Sequence, residues 1–134
     1  MKDMMKKLEK TVEYLKDMTG GVPEIAIILG SGLGRLADFI EGKQEIPYGE
    51  IPNFPNTTVP GHEGKLILGR LGDRHVVAMK GRFHYYEGHD MGTVVYPVRA
   101  LGLLGVKNLI VTNAAGGVNT GFEPGDLMLI RDHI

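Results

Sequence analysis

The chain has no cysteine. Disulfides and thiolate metal sites are therefore excluded, and the composition fits a reducing compartment. Neither sign of charge dominates: 15 Lys and Arg stand against 16 Asp and Glu, a net of −1. Without a basic surplus, nothing points to nucleic acid as a partner. No apolar run approaches the length of a membrane span. The opening residues Met1-Lys2-Asp3-Met4-Met5-Lys6-Lys7 lack the apolar centre of a signal peptide. The expectation is a soluble cytoplasmic protein without a membrane partner. Serine is almost missing. Ser31 is the only one and lacks the nucleophile-elbow pattern, so a Ser-His-Asp triad is not expected. The histidines at 62, 75, 84, 89 and 133 lack the spacing of a helical zinc motif. There is no internal repeat and no low-complexity tract.

What is present is globular. Apolar residues make up 43% and charged residues 23% of the chain, an ordinary balance. With 134 residues, one α/β domain over 1–134 is expected, long enough to bury about two-thirds of its unfolded surface. Glycine is abundant, at 20 residues. The glycines cluster beside apolar runs, which reads as turns and close backbone approaches.

Met4, Met5, Leu8, Val12 and Leu15 recur at helical spacing, with Asp3 as a candidate N-cap and Gly20-Gly21 as a stop. Ile25-Ala26-Ile27-Ile28-Leu29 reads as a strand buried on both faces. Gly30-Ser31-Gly32-Leu33-Gly34 follows, then a short helix through Phe39. Residues 42–62 hold four of the seven prolines and read as loop with brief extended pieces. Lys65–Gly69 and His75–Met79 flank Leu71-Gly72-Asp73-Arg74, a β-hairpin pattern. Residues 91–104 read as a helix with Pro97 inside it. Asn108–Thr112 reads as a second buried strand, and Asp126–Ile130 as a strand after a Glu123-Pro124-Gly125 turn. The order implies an α/β fold with a mixed central β-sheet flanked by helices. Nothing caps the final strand, so the chain reads as the front part of a larger protein.

Chemistry concentrates in Gly81-Arg82-Phe83-His84-Tyr85-Tyr86-Glu87-Gly88-His89. If the preceding strand continues, Arg82, His84 and Tyr86 share one face, with Phe83 and Tyr85 on the other. An anion clamp, a titratable donor and an aromatic hydroxyl together suit an oxyanion, with phosphate foremost. The plain alternative is a solvated strand end. Gly30–Gly34 lies where a strand meets a helix, a turn whose N–H groups favour anions and to which Ser31 adds a hydroxyl. The alternative there is a tight turn without ligand. No Gly-Lys-Ser/Thr closes a P-loop. Gly32-x-Gly34-x-x-Ala37 meets only the loosest dinucleotide pattern, and no second parallel strand ending in an acidic residue follows. Asn113-Ala114-Ala115-Gly116-Gly117 ends a strand with small residues, which suits a ligand against the backbone or close packing equally. Pro60-Gly61-His62-Glu63-Gly64 sets a histidine on a glycine-flanked loop.

Together these blocks resemble the trimeric, low-molecular-mass class of purine nucleoside phosphorylases. The matching segments are Ile-Leu-Gly-Ser-Gly-Leu-Gly at 28–34, Val-Pro-Gly-His at 59–62, Gly-Arg-Phe-His-Tyr-Tyr-Glu-Gly at 81–88, Val-Thr-Asn-Ala-Ala-Gly-Gly at 111–117 and Gly-Asp-Leu-Met-Leu-Ile-Arg-Asp-His at 125–133. The resemblance implies phosphorolysis of purine ribonucleosides or 2′-deoxyribonucleosides to free base and pentose 1-phosphate. It implies inorganic phosphate as co-substrate, no metal or other cofactor, and a homo-oligomer. Ser31, Arg82, His84 and the backbone at Ala114 match the phosphate-binding groups, and Tyr86 matches the ribose-contacting tyrosine. Arg82, His84 and His62 match the catalytic set, and Glu87 a carboxylate near phosphate. Ser31 and Phe83 favour this branch over the related methylthioadenosine phosphorylases. The family's purine-binding Glu and Asn, a further serine and a late histidine match no position here. A non-catalytic, self-associating fragment that at most binds phosphate is the alternative.

Overall fold

The computed structural model describes residues 2–56 and 64–133. Helix α1 spans Lys2–Thr19. Strand β1 is Ile25–Leu29, β2 Glu41–Pro47, β3 Lys65–Leu71 and β4 Arg74–Lys80. Helix α2 spans Met91–Leu104 and leads to β5, Asn108–Val111. The strands form one mixed sheet in the order β2-β3-β4-β1-β5. β4, β1 and β5 are parallel, whereas β2, β3 and β4 run antiparallel in turn. The mixed α/β sheet expected from the sequence is therefore present.

Side-chain alternation divides the core between the two faces of the sheet. On one face Ala26, Ile28, Leu66, Leu68, Val77 and Met79 meet Leu8, Val12 and Leu15 of α1 and Tyr96, Ala100, Leu101 and Leu104 of α2. On the other, Ile27, Leu29, Ile67, Val76 and Ala78 pack with Ala37 and Ile40. A continuous apolar run is needed where both faces are covered, and β1 and β4 carry one. The helix pair is pinned by Thr11. Its hydroxyl lies 2.8 Å from the Tyr96 hydroxyl and donates to the Pro52 carbonyl at 2.6 Å.

Helix α2 starts where Asp90 accepts a hydrogen bond from Thr93 N at 2.7 Å, the N-cap arrangement. It stops at Gly105, whose φ of 114° only glycine adopts readily. Pro97 is buried inside it and does not end it.

Four expectations need correction. Asp3 lies inside the first turn of α1, paired with Lys7 at 3.3 Å, rather than capping it. Part of the proline-rich stretch is a true strand: β2 pairs with β3 across a bulge between Glu41 and Gln44. Its pattern was hidden because an edge strand with mostly exposed residues shows no apolar alternation. β5 is a strand as expected, but it is not buried: Leu109, Ile110 and Val111 are exposed. Asp126–Ile130 forms no strand, although the preceding turn exists, with Asp126 N donating to the Glu123 carbonyl at 3.1 Å. Among the described residues nothing pairs with the outer edge of β5, and an apolar run without a neighbour has no ladder to join.

Candidate functional site

Because β4, β1 and β5 are adjacent and parallel, their carboxyl ends open on one edge of the sheet. Those ends carry the 81–89, 30–34 and 112–117 segments. Such strand ends are where ligands gather in α/β folds.

The β1 and β5 ends are tied together by Thr112. Its hydroxyl donates to the Ile28 carbonyl at 2.9 Å and accepts from Gly30 N at 2.9 Å. A Cβ on Gly30 would lie 2.3 Å from the Thr112 carbonyl oxygen. Glycine at 30 is thus demanded by strand packing, and its N–H is already used. Gly32, at φ 81° with open space around it, is the position that turns the loop. The helix after it, Gly34–Phe39, is a single six-residue 3-10 segment, so the positive helix end expected beside the loop is weak. Ser31 is exposed in this loop.

The β4 end departs from the extended path at Gly81, whose φ is 98°. A short helical turn, Tyr85–Glu87, follows. Strand alternation therefore does not set the faces, yet the expected trio still converges. Arg82 Nε donates to His84 Nε2 at 2.8 Å. The His84 and Tyr86 rings stack at 4.6 Å. Phe83 is buried, while Tyr85 is exposed rather than sharing its side. The buried Tyr48 hydroxyl donates to the Gly81 carbonyl at 2.5 Å and holds the bend in place. Burial pushes that phenol upward from its ordinary value.

Arg82 also reaches across the edge, donating from Nη1 to the Thr112 carbonyl at 3.3 Å. One guanidinium so bridges the β4 and β5 ends. Behind it, His84 Nδ1 bonds Glu87 Oε1. The His84 hydrogen bond holds the Glu87 carboxyl below the usual carboxylate range, with partial burial opposing and the charges of His84 and His89 adding. Ala114 is exposed two residues beyond Thr112. His62 and the 59–62 segment lie outside the described residues. Thr112 and Tyr48 were missed as site residues, and His89, although part of the Gly81–His89 stretch, had no role assigned, because tertiary contacts alone reveal these parts. Among the described residues, no group of three or more His, Asp or Glu is arranged to hold a metal ion. No helix among them is long and apolar enough to cross a membrane.

The profile of the phosphorylase superfamily matches residues 24–134. The chain belongs to that superfamily. It is 58% identical over 127 residues to purine nucleoside phosphorylase 1 of Geobacillus stearothermophilus, covering 95% of this chain and 46% of that protein. To the Bacillus subtilis protein of the same name it is 53% identical, over 98% of this chain and 48% of that protein. A crystal structure of purine nucleoside phosphorylase in complex with ribose-1-phosphate superposes with a TM-score of 0.86 at 52% identity, over 91% of this chain and 45% of that one. The Schistosoma mansoni phosphorylase in complex with inosine superposes with a TM-score of 0.83 at 51% identity, over 90% of this chain and 42% of that one. The chain thus spans about half the length of the curated relatives it matches. The resemblance to purine nucleoside phosphorylases, and the fold it implied, hold.

Proposed function

We propose that this superfamily member provides the phosphate- and sugar-facing part of a purine nucleoside phosphorylase site. The observation that carries the reading is Arg82, which joins two strand ends while held by His84 and, through it, Glu87. A guanidinium with its orientation fixed can grip two oxygens of a phosphate at once. Ser31 and the backbone at Ala114 add donors from the neighbouring strand ends. Tyr86, stacked on His84, offers its ring and hydroxyl to the sugar. His62 is assigned to the catalytic set on the sequence resemblance alone. The substrates in this reading are inorganic phosphate and a purine (deoxy)ribonucleoside, with no further cofactor.

In phosphorolysis a phosphate oxygen forms a bond to the anomeric carbon as the bond to the base breaks. The base leaves with the electron pair and takes a proton. Positive charge builds on the sugar ring in between. An anchored phosphate anion supplies both the nucleophile's position and the opposing charge. A homo-oligomer and a cytoplasmic setting complete the reading.

The test is ultraviolet absorbance on inosine and guanosine, with and without phosphate. The expected result is phosphate-dependent turnover, which Arg82→Ala weakens by roughly 2–4 kcal/mol of transition-state binding. Turnover unchanged in that variant would refute the assignment. The exposure of β5 on both faces favours one second reading, a module that binds phosphate and self-associates without turnover. It predicts saturable phosphate binding, higher-order assembly and no product.

A further inference from the structure

The proposed site does not use His89, a titratable group that is largely covered. Its ring meets Phe83 edge-on at 5.6 Å, and its side chain is only 14% exposed. Its Nε2 is buried and has no hydrogen-bond partner among the described residues. That same atom lies 3.4 Å from Glu87 Oε2. The approach is within ion-pair reach but is not aligned as a hydrogen bond. A buried polar atom without a partner is costly, and the carboxylate is the acceptor at hand. Glu87 therefore sits between two imidazoles: His84 on Oε1 and His89 on Oε2.

His84 has one proton arrangement that satisfies its neighbours. Arg82 donates to Nε2, so Nε2 presents a lone pair and Nδ1 carries the hydrogen toward Glu87. The Glu87 carboxylate, an acceptor placed at Nδ1, favours this tautomer.

We propose that His89 is a positioning residue of the phosphate cradle: donating from Nε2, it holds the far oxygen of Glu87 and thereby fixes the tautomer and aim of His84. The inference rests on the phosphate reading only for its effect on affinity. The charged groups that act with His89 are Glu87 and Asp90. Asp90 is committed through Oδ1 to Thr93 N, which leaves Glu87 as the partner.

Two substitutions separate this role from simple packing. His89→Phe keeps a ring against Phe83 and removes the donor. His89→Gln keeps an N–H donor and removes the ring. Long-range nitrogen–proton spectra of the imidazoles read the tautomers directly. In the wild-type chain, His89 is expected to carry its proton on Nε2 and His84 on Nδ1. His89→Phe should populate the other His84 tautomer, and His89→Gln should restore the original. Inorganic phosphate, titrated by calorimetry at neutral pH, should bind roughly three- to tenfold more weakly to His89→Phe and near normally to His89→Gln.

A wild-type His89 with a bare Nε2 overturns the inference, even if neither variant folds. So does rescue by Phe rather than Gln. If the wild-type chain binds no phosphate, the phosphate reading fails, while the His84 spectra still decide the part played by His89.

Discussion

β3 and β5 are both rich in branched apolar residues, yet they live in opposite surroundings. Leu66, Ile67 and Leu68 of β3 are at most 3% exposed, whereas Leu109, Ile110 and Val111 of β5 are 44% to 61% exposed. β3 lies between two strands, with a core on each face. β5 has β1 on one side and neither face covered. The difference shows that an apolar run states a demand for burial, and only the neighbours meet it. It also divides the candidate site, because Arg82 stands on the well-packed side and its Thr112 acceptor on the exposed one.

The sharpest way to break this comparison is to truncate one residue on each side. Ile67→Ala should cost about 2–5 kcal/mol in denaturant unfolding, and Ile110→Ala about 0.5 kcal/mol or less. Equal costs would mean that β5 is covered in solution.

Next comes the seam between the two regions. Gly30→Ala forces a carbon against the Thr112 carbonyl, so β1 and β5 must part. A loss of about 1–3 kcal/mol is expected, with faster amide exchange along β5 and little change in β3. Thr112→Val removes both hydroxyl bonds at the seam and leaves the buried Gly30 N–H unpaired. Its cost should be about 1–2 kcal/mol, checked by the same unfolding curves.

Acid should act more gently. The Glu87 carboxyl is lowered from its ordinary value of 4.5 by its folded contacts. Its contribution is thus fully present above that value and is lost as pH falls through the lowered one. Unfolding curves across this window should lose stability in the wild type. In Glu87→Gln that acid limb should flatten. A limb of the same depth in both proteins would show that Glu87 is not the group being titrated.

Most of the fold was legible in the residues. β1, the β3–β4 hairpin and the helix over 91–104 follow from apolar periodicity and glycine punctuation. β2 was hidden because an edge strand of polar residues carries no alternation. A strand at Asp126–Ile130 was wrongly expected, since local pattern says nothing about whether a partner strand is present. In the site, Arg82, His84 and Tyr86 were legible as a group, although the geometry expected for them was not. The bend at Gly81 and the turn over Tyr85–Glu87 bring them together instead. Gly30 reads as part of an anion-favouring turn, yet its N–H is taken by Thr112 and its missing Cβ makes room for the Thr112 carbonyl. His89 stands in the chemistry-rich stretch of the sequence, but its role lies in its contacts with Phe83 and Glu87, which only the fold reveals.

Direct titration of inorganic phosphate into the wild-type chain and into Arg82→Ala, followed by calorimetry or phosphorus NMR, tests the central claim. The account predicts saturable binding to the wild type and a loss of at least about 30-fold in the variant. Equal binding by both, or no saturable binding by the wild-type chain, would contradict it.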